Sequence, residues 1–298
     1  MRARIGLPAI PEGDVLYVPS AAPLAGSMGP GPAKALAGPV TVRPLRRAYT
    51  AEELDAFVVS HDRPLRPFEA KFTVLQRELF REQHRDVLIR LKRETASMGQ
   101  TVERQIGSAL FSPDEWQAKW VVAARPIVNV AVSQSAQAAI AQYGLGVQFN
   151  PLLERMRQVI LDRLTFWAER TNLETAALLT LELREGAELG EGVADLQQRV
   201  EKVFAFNDTV RSERIARTEM HIAANEGAME GYRQSGVVER KVWLTTLDGR
   251  ERDAHAAAHG QTVPLEASFI VGGEAIMQPG DGSPENAINC RCAVAPII

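Results

Sequence analysis

The chain has 298 residues, with 34 Lys and Arg against 37 Asp and Glu for a formal charge of −3, and 45% of it is hydrophobic. That balance excludes a global basic field for tight, non-specific nucleic-acid binding, and no stretch approaches the roughly 18 consecutive apolar residues of a membrane span. Two cysteines cannot staple a small secreted scaffold, and prolines interrupt MRARIGLPAIPEGD where a signal peptide would carry its apolar core, so a reducing compartment is expected.

The first 50 residues stand apart. They hold 8 of the 17 prolines and 6 of the 22 glycines, and their formal charge is +4. GPGPAKALAGPV cannot run as a helix, because proline lacks the donor and glycine costs backbone entropy. Residues 1–48 are therefore read as an extended arm. Helix signals dominate from there to 235. TAEE at Thr50–Glu53 and SPDE at Ser112–Glu115 are capping boxes, and NPLLE at Asn150 and TNLE at Thr171 repeat the start chemistry. Apolar residues recur at helical spacing in Phe72, Leu75, Leu79 and in Leu153, Met156, Ile160, Leu164, Trp167. Trp116, Trp120 and Trp167 belong on buried faces of a bundle or helical hairpin. Tyr143–Gly146 and Gly190 are stop signals, and a last helix over about 209–235 ends at Gly236. VERKVWLTTLDG then alternates apolar and polar residues into an Asp-Gly turn, and ASFIV and CAVAPII follow as short strands. The fold class is α+β: an arm (1–48), a helical region (49–190) and a small carboxy-terminal α+β module (191–298).

Both cysteines, Cys290 and Cys292, lie in the closing ENAINCRCAVAPII. A disulfide between residues i and i+2 fits the preferred geometry poorly. His255 and His259, four apart in RDAHAAAHGQ, fall on one face of a helical turn. With the two thiols they form a two-histidine, two-thiolate set suited to tetrahedral, structural zinc. The other reading makes His255 a hydrogen-bonded structural residue, His259 a cation at a helix end, and the thiols small buried hydrophobes. Catalytic signals are fewer: there is no P-loop, G-x-G-x-x-G or G-x-S-x-G, and Glu213 with Arg217 reads as an ordinary i,i+4 pair.

Three stretches then carry a pattern in order and spacing: RIARTEMHIAANEGAMEGYRQSG, KVWLTTLDGRERDAHAAAHGQTV and PGDGSPENAINCRC. They resemble the phage Mu F-like head morphogenesis (minor head protein) family over about residues 195–295. The matching positions are Ala216–Glu219 (with Arg217, Thr218 and Glu219), Trp243, Asp248, Arg252, His255, Gly260, Phe269, Pro279–Gly280, and Asn289 to Cys292 with Arg291 between the cysteines. The arm's GLPAIPEGDVLYVPSAAPLAG is similar to the carboxy-terminal stretch of phage portal proteins. The resemblance implies a structural protein of the virion head, assembled in the host cytoplasm. Its implied partners are the portal and other head proteins, with phage DNA a further one and no membrane segment. Arg217 and Glu219 are then expected in a buried or semi-buried network that fixes their helix on the Trp243 strand, with Arg252 joining it. The rival class is an enzyme, a metal-dependent nuclease or an ADP-ribosyltransferase-like domain.

Overall fold

The computed structural model describes residues 60–98, 110–246 and 249–297. The expected arm, the Thr50 capping box and Asp248 lie outside the described residues. The remainder is mostly helix followed by a small antiparallel sheet module, the α+β class that the sequence predicts.

After a 3-10 turn (Arg63–Leu65) come four helices: α1 (Arg66–Met98), α2 (Pro113–Gln142), α3 (Glu154–Glu188) and α4 (Val193–Phe206). A π-helical turn (Asn207–Arg211) leads into α5 (Ser212–Ser235). The SPDE signal opens α2 as expected, with Pro113 first and Asp114 and Glu115 complementing the helix dipole. Gly144, Gly190 and Gly236, all at positive φ, follow the ends of α2, α3 and α5.

Two expected helix starts are placed differently. The Asn150 side chain accepts a hydrogen bond from Leu152 N (3.0 Å), a local turn, so α3 begins only at Glu154 and leaves Leu153 exposed. Thr171 and Asn172 do not start a helix but sit fully buried inside α3. The Asn172 amide is used within the packing: it donates to Ala168 O (2.8 Å) and accepts from Gln83 Nε2 (2.6 Å).

The described residues divide into two packed units. One comprises Lys71–Ala124 and Leu164–Ala216. Its core is aromatic: Trp120 packs edge-on to Phe80 and tilted on Trp167, with ring centroids 5.1 and 5.3 Å apart, and Phe72 lies 5.1 Å from Trp167. The three tryptophans named above are buried as expected. Each such pair adds about 0.5–1.5 kcal/mol beyond its burial.

The other unit comprises residues 60–70, Arg125–Arg163 and the chain from Arg217 onward. Here α5 is covered nearly all round, since every residue from 218 to 232 is buried. Gly227 and Gly231 let its backbone approach that of Val132 and Ala136 on α2. Strand β1 (Arg240–Leu244) lies between β2 (Thr262–Pro264) and β5 (Ala293–Ile297), antiparallel to both. The β1–β5 register runs from Arg240 opposite Ile297 to Leu244 opposite Ala293. A short α6 (Asp253–Ala258) separates β1 from β2, and a hairpin follows, β3 (Phe269–Val271) with β4 (Glu274–Ile276). A one-turn α7 (Pro284–Ala287) precedes β5.

Asn225 on α5 treats β5 as a neighbouring strand would: its amide donates to Cys292 O (3.1 Å) and accepts from Val294 N (3.0 Å). Tyr232 Oη adds a donation to Val294 O (3.1 Å). These groups satisfy backbone that would otherwise stand buried and unpaired, and they fix the Cys-Arg-Cys segment on the helix.

Candidate functional site

His255, Cys290 and Cys292 converge. Their ligand atoms all lie within 4.8 Å of one another and all three residues are buried. Helix α6 supplies the histidine, and the segment between α7 and β5 supplies the thiols. That segment turns at Asn289, whose φ of 55° is the left-handed conformation asparagine tolerates better than most non-glycine residues. Asn289 N donates to Thr218 Oγ1 (3.2 Å), and Arg252 donates to Ile288 O (2.5 Å), clamping the turn from both sides. The Asn of Asn-Cys-Arg-Cys is therefore a backbone requirement.

A chain of hydrogen bonds fixes the imidazole. Glu274 accepts from Ser283 N (2.7 Å) and from Asn286 Nδ2 (2.7 Å). Burial works to raise the Glu274 carboxyl, but these bonds outweigh it and hold it below the usual carboxylate range. Asn286 must then turn its oxygen toward His255 Nε2, 3.2 Å away, so Nε2 carries the proton. The Nδ1 lone pair is left facing Cys292 Sγ at 3.3 Å and Cys290 Sγ at 3.7 Å. The thiols behave as a pair. Their mutual hydrogen bond holds Cys292 low, against the effect of burial, while the same bond and burial push Cys290 up.

Trp243 forms the wall beneath, edge-on to His255 at 5.6 Å and to Phe269 at 5.4 Å. Its Nε1 donates to Thr245 Oγ1 (3.0 Å), and that hydroxyl donates to His255 O (2.8 Å).

The other expected site residues are distributed differently. His259 stands outside the trio: α6 ends at Ala258, His259 is extended (ψ 128°), and its Nδ1 accepts from Thr245 N (3.1 Å). Gly260, at φ 78°, turns the chain there, so the two histidines do not share a helical face. Glu219 is buried as expected, but its partner is Arg163, through two bonds of 2.8 and 3.0 Å. Arg217 is exposed, correcting the expected buried network: it lies one turn beyond Glu213 on the outward stripe of α5. Glu213 takes Arg77 as its partner (2.9 Å). Arg252 joins the Cys-Arg-Cys turn and not a network with Arg217. Arg291 contributes its carbonyl to Thr246 Oγ1 (3.3 Å). Glu274, Asn286, Asn225 and Thr245 were not singled out from the sequence; single polar residues in loops and on a helix carry no spacing signal.

A second buried polar group surrounds Lys241, which donates to Met277 O (2.7 Å) and lies 5.1 Å from the centre of the Phe269 ring. Burial lowers Lys241 to about 7. Burial, with Glu226 nearby, raises Asp281 to about 7, and burial also raises Glu226, which accepts from Gln278. Asp281 contributes stability below its unfolded pKa that is lost as pH rises through about 7. Lys241 contributes stability at high pH that is lost as pH falls through about 7. Stability should therefore dip near neutrality. Asp281→Asn should reduce the fall in melting temperature between about pH 4 and pH 7, with Glu226 keeping the remainder, as followed by circular dichroism across that range; an unchanged profile would refute the assignment.

A helical protein closed by a carboxy-terminal sheet module with a buried His-Cys-Cys clasp is the class these features define. Residues 178–295 match the family model described as Phage Mu protein F like protein, and the resemblance read from the sequence holds for this segment. Minor head protein GP7 of Bacillus phage SPP1 is 28% identical over 134 residues, covering 44% of this chain and 43% of that protein. NAD(+)--arginine ADP-ribosyltransferase EFV of Enterococcus faecalis is 29% identical over 89 residues, 28% of this chain and 18% of that one. The chain thus spans less than half the length of these curated relatives. No solved structure matches it at a significant level. Among the described residues, no helix is long and apolar enough to cross a membrane.

Proposed function

We propose that this chain is a structural minor head protein of a tailed phage or prophage, acting in head morphogenesis in association with the portal and other head proteins. The match of residues 178–295 to the Mu F-like family carries the reading, and the likeness to a minor head protein supports it. The described residues suit a scaffold: the polar groups around the Cys-Arg-Cys turn are used to hold helix, strand and turn together. The Pro- and Gly-rich residues 1–48 supply the docking segment for the portal, and phage DNA is a further partner during packaging or ejection. The virion head is the expected location.

Removing residues 1–48 should leave a folded protein that is lost from purified heads, as measured by immunoblotting of particles. Truncated protein entering heads at the normal level would refute the docking role. The likeness to an ADP-ribosyltransferase supports a second reading, transfer of ADP-ribose to arginine. Labelled NAD(+) distinguishes the two: the structural reading expects no label on protein or free arginine, and transfer above the buffer rate would favour the enzyme.

A further inference from the structure

We propose that His255, Cys290 and Cys292 form a zinc site, with Asn286 and Glu274 as the groups that orient its histidine. A hydrogen-bonded cluster of thiols is the competing account, and metal analysis separates the two. The Nδ1 lone pair faces two sulfurs at once, at 3.3 and 3.7 Å. Tetrahedral zinc with Zn–S of about 2.3 Å and Zn–N of about 2.05 Å sets N···S near 3.6 Å. The two observed separations bracket that value.

The surroundings match what a ligating histidine requires. Its remote nitrogen donates to Asn286 Oδ1 (3.2 Å), and that amide is held by an acceptor-only carboxylate at 2.7 Å. Such a chain fixes tautomer and ring plane before any ion arrives. Two soft sulfurs and one imidazole select zinc over magnesium or calcium, which take oxygen ligands.

Among the described residues the site offers three protein ligands. Thr245 Oγ1, 3.5 Å from Cys292 Sγ, already accepts from Trp243 and donates to His255 O, and the Nδ1 of His259 accepts from Thr245 N. Among the described residues no fourth ligand completes the set, and the fourth position is open to water. This inference is independent of the head-protein reading, because the metal is measured on the isolated chain.

The test is elemental analysis of the full chain, expressed with zinc in the medium and purified without chelators. About one equivalent of zinc per chain is expected. Chelation should lower the melting temperature, and added zinc should restore it. Cobalt(II) substitution should give the intense visible bands and sulfur-to-metal charge transfer of a tetrahedral thiolate site. Cys292→Ser should lose the equivalent and the charge-transfer band. Asn286→Ala should bind about 10- to 100-fold more weakly, and His259→Ala should keep the metal. Should Cys292→Ser fail to fold, chelation and cobalt substitution of the wild-type chain decide the question. A metal-free wild type whose melting temperature ignores both chelator and added zinc overturns the proposal, as does tight binding that survives Cys292→Ser.

Discussion

Replacing Gly227 by alanine should destabilise the protein, although alanine is the better helix former. In an exposed helix the change would gain about 1 kcal/mol. Here a Cβ would run into the carbonyl oxygen of Val132, with Val132 C at 3.1 Å and Ala136 N at 3.2 Å. All three are backbone atoms, so no side-chain rotation relieves the clash; α5 and α2 must move apart along the stretch where they touch. Overpacking of a well-filled core costs about 1–3 kcal/mol, and more where backbone must shift. The steric term wins. A net loss of about 2 kcal/mol is expected, which for a chain of this size lowers the melting temperature by roughly 4–8 °C. Gly231→Ala should cost less, because its nearest backbone contact, Ala136 O, lies at 3.0 Å and the next atom is the movable Cγ1 of Ile140. Thermal unfolding of both variants checks the order. A Gly227→Ala protein as stable as the wild type would show that the close approach of the two helices is unnecessary.

Helices, stops and the carboxy-terminal strands could be read from periodicity and from Gly and Pro, since these signals are local. Partners across the fold could not. The sequence expects Glu219 in a buried network, but nothing in it ties Glu219 to Arg163, 56 residues away. Thr171 and Asn172 looked like a helix start because capping and burial use the same residue types, and only the tertiary neighbour Gln83 distinguishes them. In the candidate site, the two cysteines and His255 were legible from their scarcity. A four-residue spacing places His259 on the helical face of His255, and it leaves that face where Gly260 ends the turn. Asn286 and Glu274, which set the histidine's tautomer, gave no sequence signal: their role exists only once β4 and α7 bring them beside α6.

Arg211 carries no spacing signal for the same reason, and its removal should strongly destabilise the protein. It is fully buried, beside the aromatic core of its unit. One guanidinium nitrogen donates to Thr175 Oγ1 (2.8 Å) and Asn207 Oδ1 (3.0 Å), the other to Thr171 O (2.9 Å) and Glu174 Oε2 (2.9 Å). Its face lies 5.3 Å from the centre of the Phe80 ring. The π-helical turn from Asn207 to Arg211 carries this arginine between α4 and α5, and the i,i+4 bond to Asn207 closes the same turn. Arg211→Met would fill most of the volume but take one donor away from each of Glu174, Thr175 and Asn207. Breaking a buried charge pair from one side costs about 3–5 kcal/mol. Arg211→Lys should recover less than half of that, because an ammonium is a point donor and cannot serve acceptors on both sides of a planar fork. Adding Glu174→Leu to Arg211→Met should restore part of the loss, since the carboxylate is removed together with its guanidinium. Chemical denaturation of the two single variants and the double variant provides the cycle. A loss below about 1 kcal/mol for Arg211→Met would mean that the four hydrogen bonds barely exceed what water offers the unfolded chain.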